Sequence, residues 1–339
     1  MKELVSILIP AFNAEKWIHD CIESALAQTW PRKEIIVVDD GSRDSTLEIA
    51  KRYASANVLV TTQDNRGASA ARNHALSLAQ GDYIQWLDAD DLLAPDKIAR
   101  KMNVAEPGMT SRVLLSGAWG RFYHHPERST FTPNSLWQDL APLEWLLRQA
   151  EENLWMAIDS WLVSRKLTEM AGPWNESLSL NDDGDYFCRV VSCAEHIRFI
   201  PESKCYVRRG NPGLSSTNIL SNRKLDSQSS SILSHIQTLR VMEDSQRMRS
   251  ACLKLLQRWS IYFYPERPDI IDKMSMLAAE LGGRLEMPDL KLKYRLIQKA
   301  FGWRIAKKAR FFLPSIRSAL EREWDLFVCL LDNWNIQKK

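Results

Sequence analysis

The N-terminal part of the chain alternates short apolar runs with stretches whose apolar residues recur at helical spacing. Leu4–Phe12 (LVSILIPAF) is nearly continuous in apolar residues and is interrupted by Pro10, the pattern of a parallel strand buried on both faces. Asn13 is a candidate cap for a helix over Ala14–Thr29, with Trp17, Ile18, Cys21, Ile22, Ala25 and Leu26 on one face and Pro31 ending it. Glu34–Val38 predicts a second strand running into Asp39-Asp40-Gly41-Ser42. Asp44 or Ser45 then caps a helix reaching about Tyr53. Asn57–Thr62 predicts a third strand, Gly67–Ala79 a helix of small residues, and Tyr83–Leu87 a fourth strand entering Asp88-Ala89-Asp90-Asp91. Strands separated by helices, with no hairpin signal between them, imply a parallel, doubly wound sheet. Such sheets bind ligands beyond the carboxyl ends of their strands.

Further along, Arg112–Tyr123 alternates as a strand, and His196–Tyr206 reads as a strand pair or a strand and turn. Trp137, Trp145 and Trp155 punctuate the stretch between; two of the three are expected in the core and one on the surface, where an indole suits a sugar face. The adjacent His124 and His125 point opposite ways on a strand, which argues against a shared metal. From residue 218 onward strand alternation stops and helical runs follow. The expected division is an α/β domain over 1–217 and a helical region over 218–339.

Composition narrows the class. The chain has 339 residues, 45% hydrophobic and 26% charged, and no stretch of eighteen uninterrupted apolar residues that would span a bilayer. Glu3 and the lack of a small-residue cleavage site argue against a signal peptide at the N-terminus. Six cysteines without zinc spacing read as core residues in a reducing compartment. These readings give a cytoplasmic location as the expectation, with attachment at the inner face of the membrane as an option. Charge is uneven. Residues 218–339 carry 22 Lys and Arg against 13 Asp and Glu, whereas 1–217 carry 23 against 29.

Candidate chemistry collects at the strand ends. Asp88 and Asp90 flank Ala89 in a turn, and hard cations such as Mg²⁺ take one or two carboxylates plus water and phosphate oxygens. Asp40 follows the second strand and is a candidate acceptor for a base N–H; Arg72 offers a fork suited to phosphate. A second acidic cluster, Asn181-Asp182-Asp183-Gly184-Asp185, opens a helix containing Arg189. This second acid site stands apart from the first, so one cluster can take a proton while the other serves charge stabilisation.

The segments SILIPAFNAEKWI, IIVVDDGSRDST, NRGASAARNHAL and GDYIQWLDADD, in this order, resemble the nucleotide-sugar-binding half of a family 2 glycosyltransferase with the GT-A fold. The resemblance implies a mixed sheet, so the all-parallel pattern should fail beyond the fourth strand. It also implies a nucleotide-sugar site. In it the Pro10-Ala11-Phe12 backbone and Asp40 hold the nucleoside, with Asn13 and Glu15 in the following pattern. Arg72 lies near the diphosphate, Asp88 by ribose or metal, and Asp90 on Mg²⁺ or Mn²⁺. Aligning the family's Glu-Asp-x-Asp through Asp185 and Arg189 puts Asp182 at the Glu position and Asp183 at the base. The segment Tyr206–Arg209 matches a closing Tyr-x-Arg, so that Arg209 or Arg208 would clamp the diphosphate as the loop Gly210–Ser216 closes. Arg209 is the first choice. The implied reaction is inverting transfer from a UDP-sugar to a glycan or glycolipid acceptor in cell-surface polysaccharide synthesis.

Two other classes fit less well. A sugar-nucleotide pyrophosphorylase would want a Gly-rich phosphate loop, which residues 9–16 lack; a non-catalytic sugar-binding module would not need both acidic clusters. Gln257-Arg258-Trp259 is similar to a synthase motif, but its spacing is wrong. In the tail, Lys291–Leu320 holds nine Lys and Arg, no acid, and interleaved aromatics. Peripheral contact with an anionic membrane and docking on the acidic front domain are both open readings, and nucleic acid is not expected as a partner.

Overall fold

The computed structural model describes residues 2–105, 111–209, 221–288 and 290–337. Its strands are β1 (Val5–Ala11), β2 (Lys33–Asp39), β3 (Val58–Thr62), β4 (Tyr83–Trp86), β5 (Leu92–Leu93), β6 (Val113–Phe122), β7 (Thr130–Phe131), β8 (Val163–Ser164) and β9 (His196–Arg208). Helices α1 (Ile18–Leu26), α2 (Thr46–Lys51), α3 (Ala68–Leu78), α4 (Lys97–Val104), α5 (Pro142–Glu152), α6 (Arg165–Ala171) and α7 (Asp182–Cys193) lie between the strands. After β9 come α8 (Asn222–Met242), α9 (Gln246–Phe263), α10 (Pro268–Glu280), α11 (Leu292–Phe301) and α12 (Trp303–Gln337).

The main sheet has the order β3-β2-β1-β4-β8. Its first four strands are parallel, as the apolar runs require, and β8 pairs antiparallel with β4. The sheet is therefore mixed. A second sheet, β5-β9-β6-β7, joins β6 and β9 in parallel. The pair predicted over His196–Tyr206 is instead one strand of 13 residues. Pro201 cannot donate to a ladder, and the strand absorbs it by a register shift: Gly117 faces Ile200, but Ala118 faces Lys204. Gly117 is required there, since a Cβ would lie 2.2 Å from the Ser203 carbonyl oxygen.

Asn13 does not cap α1. Its backbone is left-handed (φ 49°) and its side-chain oxygen accepts from Arg43 N–H (2.8 Å), so the helix starts later, at Ile18. That turn is tied to the next strand end. Asn13 N–H donates to Ser42 Oγ (2.9 Å), Ala14 N–H to Thr46 Oγ1 (2.7 Å), and Ser45 N–H to Glu15 (3.1 Å).

One continuous apolar core runs from β1, β2 and β4 through α5 and α7 into α8, α9 and α10. The expected division at residue 217 falls within 210–220, outside the described residues. Behind β4, Trp86 packs edge-on against Trp174 (5.2 Å between centroids), and Trp174 stacks on Tyr186 of α7 (4.1 Å, 8° between planes). Pairs of this kind contribute roughly 0.5–1.5 kcal/mol each beyond area burial. They fix the start of α7 against the end of β4, which brings the two acidic clusters to one edge.

Candidate active site

The clusters meet through Arg72. Its guanidinium is buried and donates to Asp88 Oδ1 (2.8 Å) from one nitrogen and to Asp182 Oδ2 (2.8 Å) from another. The same group lies over the Trp174 ring at 4.5 Å. Asp88, Asp182 and Asp183 outweigh burial and hold this guanidinium even more firmly protonated than usual. Ser69 Oγ adds a bond to Asp182 (3.1 Å). Arg72 was expected on a diphosphate; here it clasps two carboxylates.

Asp40 is similarly committed. Its carboxylate accepts from Arg66 N–H (2.9 Å), Gly67 N–H (2.8 Å), Gln63 Nε2 (2.8 Å) and Asn65 Nδ2 (3.1 Å). A carboxylate offers about four acceptor positions, so the loop between β3 and α3 uses them all. The Asp40 backbone N–H donates to Ala11 O (2.8 Å), next to Pro10 and the half-buried Phe12. Its neighbour Asp39 keeps one buried oxygen, Oδ1, without a hydrogen-bond partner, while Oδ2 accepts from Thr62 Oγ1 (3.0 Å). Asp39 drew no attention in the sequence because it completes an apolar strand.

Beneath the Asp88–Asp91 turn sits a buried acid that sequence reasoning missed. Asp159, wholly buried, accepts from Asp88 N–H (3.0 Å). Burial and then Asp88 push its carboxyl up to about 7. Asp91, also buried, accepts from Arg208 N–H (2.7 Å), and its carboxyl is raised well above the usual range, first by burial and then by Asp159. Lys97 and Lys101, both fully buried, bond to Gln85 and to the Ser160 carbonyl below this layer. The only advance sign of Asp159 was a lone acid in the apolar run Ala157–Val163.

Arg208 is the arginine that the structure brings to the acidic turn. Its Nε donates to Asp90 O (3.0 Å) and its Nη1 to Tyr123 O (3.1 Å), and its guanidinium lies over Trp17 (4.2 Å) and Phe122 (4.5 Å). Arg209, the choice made from the sequence, follows the last residue of β9. It is substantially exposed, lies over Tyr123 (5.8 Å) and pairs with Glu321 (3.9 Å). Arg208 ends the strand and reaches the turn, whereas Arg209 donates its N–H to Phe122 O (2.7 Å) and its side chain turns to α12. The loop Gly210–Ser216 is outside the described residues.

The second cluster is held differently. Asn181 precedes α7 in a left-handed conformation, and its Nδ2 donates to Ser231 Oγ (2.7 Å), which donates back to Asn181 O (3.1 Å). Ser227 bonds to Leu180 O (2.8 Å), and Ser234 to Asp185 Oδ1 (2.8 Å). Ser227, Ser231 and Ser234 of α8 thus grip the acidic loop and the first turn of α7. Gly184 is needed under Asn181, because a Cβ there would lie 2.4 Å from Asn181 Oδ1. Asp185 pairs with Arg189 (2.9 Å) and turns inward. Asp183 is left facing a cavity. Burial, then Asp182, raises its carboxyl to about 6, against the opposing hydrogen bond from Gly184 N–H (2.8 Å).

That cavity, of about 330 Å³, runs from Asp183 between α5, α7, α8 and α9. Trp145, Trp155, Trp161 and Trp259 line it, with His235 among them. Trp145 is core and Trp137 is partly buried, whereas Trp155 is 43% exposed and packs on Trp119 (4.3 Å). Arg121 lies over both of these rings (5.0 and 5.1 Å). Trp259 thus contributes through the cavity, while Arg258 donates to Ala150 O (2.8 Å) and Glu151 O (3.0 Å) at the end of α5.

The donor set at the first turn fits a divalent cation shared with a substrate. Asp88 and Asp90 are hard oxygen donors at one turn, and among the described residues no group of three His, Cys, Asp or Glu forms a full cage.

A parallel sheet extended by an antiparallel strand, with acids at its carboxyl edge, defines a GT-A-type α/β protein. Residues 6–146, a stretch shorter than half of the chain, match the family model described as glycosyl transferase family 2. The uncharacterized glycosyltransferase EpsJ of Bacillus subtilis is 32% identical over 221 residues, 62% of this chain and 62% of EpsJ. The poly(ribitol-phosphate) beta-glucosyltransferase of Bacillus spizizenii is 29% identical over 226 residues, 60% of this chain and 35% of that protein. The chain thus spans less than two thirds of the length of these relatives. Among solved structures, S. aureus TarS 1-349 in complex with UDP superposes with a TM-score of 0.61 over 91% of both chains at 16% identity, a likeness of fold.

Proposed function

We propose that the chain is an inverting glycosyltransferase that moves a sugar from a UDP-sugar to an acceptor hydroxyl in cell-surface polysaccharide or glycolipid synthesis. The observation that carries this reading is the Arg72 clasp, which sets Asp88 and Asp182 on one guanidinium and leaves Asp183 beside a tryptophan-lined cavity. The donor lies along the strand ends, with its nucleoside by Pro10–Phe12 and Asp40 and its diphosphate toward Arg208. Asp40 acts through the loop 63–67 that it holds, and Asn13 and Glu15 through the turn beneath it.

The acceptor enters by the cavity, where indole faces suit the C–H patches of a sugar. Asp183 takes the proton of the acceptor hydroxyl as that oxygen forms its bond to C1. The C1–O bond to the diphosphate breaks from the opposite side, and its electron pair leaves with the nucleoside diphosphate. Mg²⁺ or Mn²⁺, held by Asp90 with Asp88, supplies positive charge for the leaving diphosphate when bound. Arg208 adds to that charge; Arg72 keeps the two acidic clusters in register. The TarS complex with UDP and the polyol-phosphate glucosyltransferase relative favour a UDP donor and a cell-wall polymer acceptor.

The test is thermal stabilisation and UDP release with UDP-glucose, UDP-N-acetylglucosamine and GDP-mannose in the presence of Mn²⁺. Stabilisation by a UDP-sugar and metal-stimulated UDP release, both lost in Asp90→Ala, are expected. Failure of every nucleotide-sugar to stabilise the protein, or undiminished Mn²⁺ stimulation in Asp90→Ala, would overturn the reading.

A further inference from the structure

The last two helices separate their charges from their apolar residues in an unexpected sense. The α12 helix docks on the α/β part through acids: Glu321 accepts from the Tyr123 hydroxyl (3.1 Å), and Asp325 accepts from His124 N–H (3.2 Å) and pairs with Arg128 (3.7 Å). Lys307, on the same inward side, bonds to Tyr262 O (3.0 Å), Tyr264 O (2.8 Å) and Glu266 (2.5 Å). The opposite side carries Ile305, Phe312, Leu320 and Phe327, seven or eight residues apart and therefore in line along the helix. All four are at least 50% exposed, and Leu296 and Phe301 of α11 are exposed as well. Lys291, Lys293, Lys299, Arg304 and Lys308 are exposed as well, and no acid occurs from Lys291 to Leu320. Among the described residues no helix is long and apolar enough to cross a membrane.

We propose that this outer face of α11 and α12 seats the protein on an anionic phospholipid surface. Docking on the front domain and binding a membrane then cease to be alternatives, because the helix uses opposite sides for each. Apolar side chains flanked by cations match the boundary between acyl chains and anionic headgroups. A protein partner or second copy of ordinary mixed charge would leave these cations unmatched. Since α12 bonds to Tyr123, whose carbonyl receives Arg208, the bilayer surface would lie beside the acidic turn. The proposal does not depend on the transfer chemistry.

Flotation of the full chain with vesicles of phosphatidylglycerol in phosphatidylcholine, against phosphatidylcholine alone, tests it. Binding to the anionic vesicles at low salt, and its release at high salt, are expected, since exposed charges are screened. The triple variant Lys293→Glu/Lys299→Glu/Lys308→Glu should bind about a hundredfold more weakly, from about 1 kcal/mol per cation. Leu296→Ser/Phe301→Ser/Leu320→Ser should also detach, with donor-dependent UDP release unchanged in both. Absence of wild-type binding at low salt, equal binding to neutral vesicles, or binding that survives both variants would overturn the proposal. So would sedimentation showing that the apolar face instead joins two copies and that vesicles do not compete. The salt dependence of the wild type decides the matter even if a variant misfolds.

Discussion

Asp88–Asp91 and Asp182–Asp185 face each other across Arg72, and the chain holds them by different means. The first turn hangs from a parallel sheet: Asp88 N–H on buried Asp159, Asp91 on the Arg208 backbone, Asp90 O on the Arg208 side chain. The second forms the first turn of a helix and is gripped from outside the α/β part, by serines of α8. Similar acids therefore end in different surroundings. Burial and the neighbouring Asp182 raise the Asp183 carboxyl to about 6, whereas Asp182 is paired with the Arg72 guanidinium. The comparison assigns binding of the leaving group to the rigid sheet edge, and proton transfer to the helix end that α8 controls.

The largest effect should come from Asp183→Asn. Transfer should fall by about two to four orders of magnitude, the scale of lost general-base catalysis, with UDP affinity by calorimetry unchanged. If Asp182→Asn does this and Asp183→Asn does not, the two roles are exchanged. Breaking the clasp comes next. Arg72→Met leaves the partly exposed Asp88 and Asp182 without their cation and, because solvent reaches both, should cost less than the ~3–5 kcal/mol of a fully buried pair, read by urea unfolding; adding Asp182→Asn should restore part of it.

The pH dependence sharpens the contrast. A base raised to about 6 must be ionised to work, so kcat/KM should fall as pH drops through about 6, and Asp183→Asn should lack that limb. The folded state binds this proton more tightly than the unfolded chain, so the Asp183 carboxylate opposes folding increasingly as pH rises through that window. Asp183→Asn should accordingly have a higher Tm than the wild type at pH 8, with the gap closing toward pH 5.

Removing the grip is expected to be milder. Ser231→Ala should cost about 1–3 kcal/mol through the unsatisfied Asn181 amide and lower kcat more than donor affinity. Smallest is Arg209→Ala, an exposed pair worth at most about 1 kcal/mol; Arg208→Ala, one residue away, should abolish donor binding. Equal loss of donor binding in both variants would erase the distinction drawn between the two arginines.

By itself the sequence determined the parallel core of the sheet. Runs such as Val5–Ile9 and Ile35–Val38 bury on both faces wherever they are placed, and their polar ends must then share one edge. It also marked both acidic clusters, because carboxylates concentrated at a strand end and at a helix start are visible as pattern. Tertiary structure alone decided what each acid does. Asp159 reaches Asp88 from 71 residues away, and Arg72 reaches Asp182 from 110, distances over which no period carries information. The role of Ser227 and Ser231 left no mark in the sequence because their partners, in the loop before α7, lie 47 to 50 residues upstream. Likewise, Arg208 and Arg209 are adjacent in sequence, and it is pairing of Arg208 with Phe122 at the end of β6 that brings Arg208 and not Arg209 to the acidic turn. Local chemistry is written in order along the chain; burial, charge pairing and protonation depend on which segments the fold brings against one another.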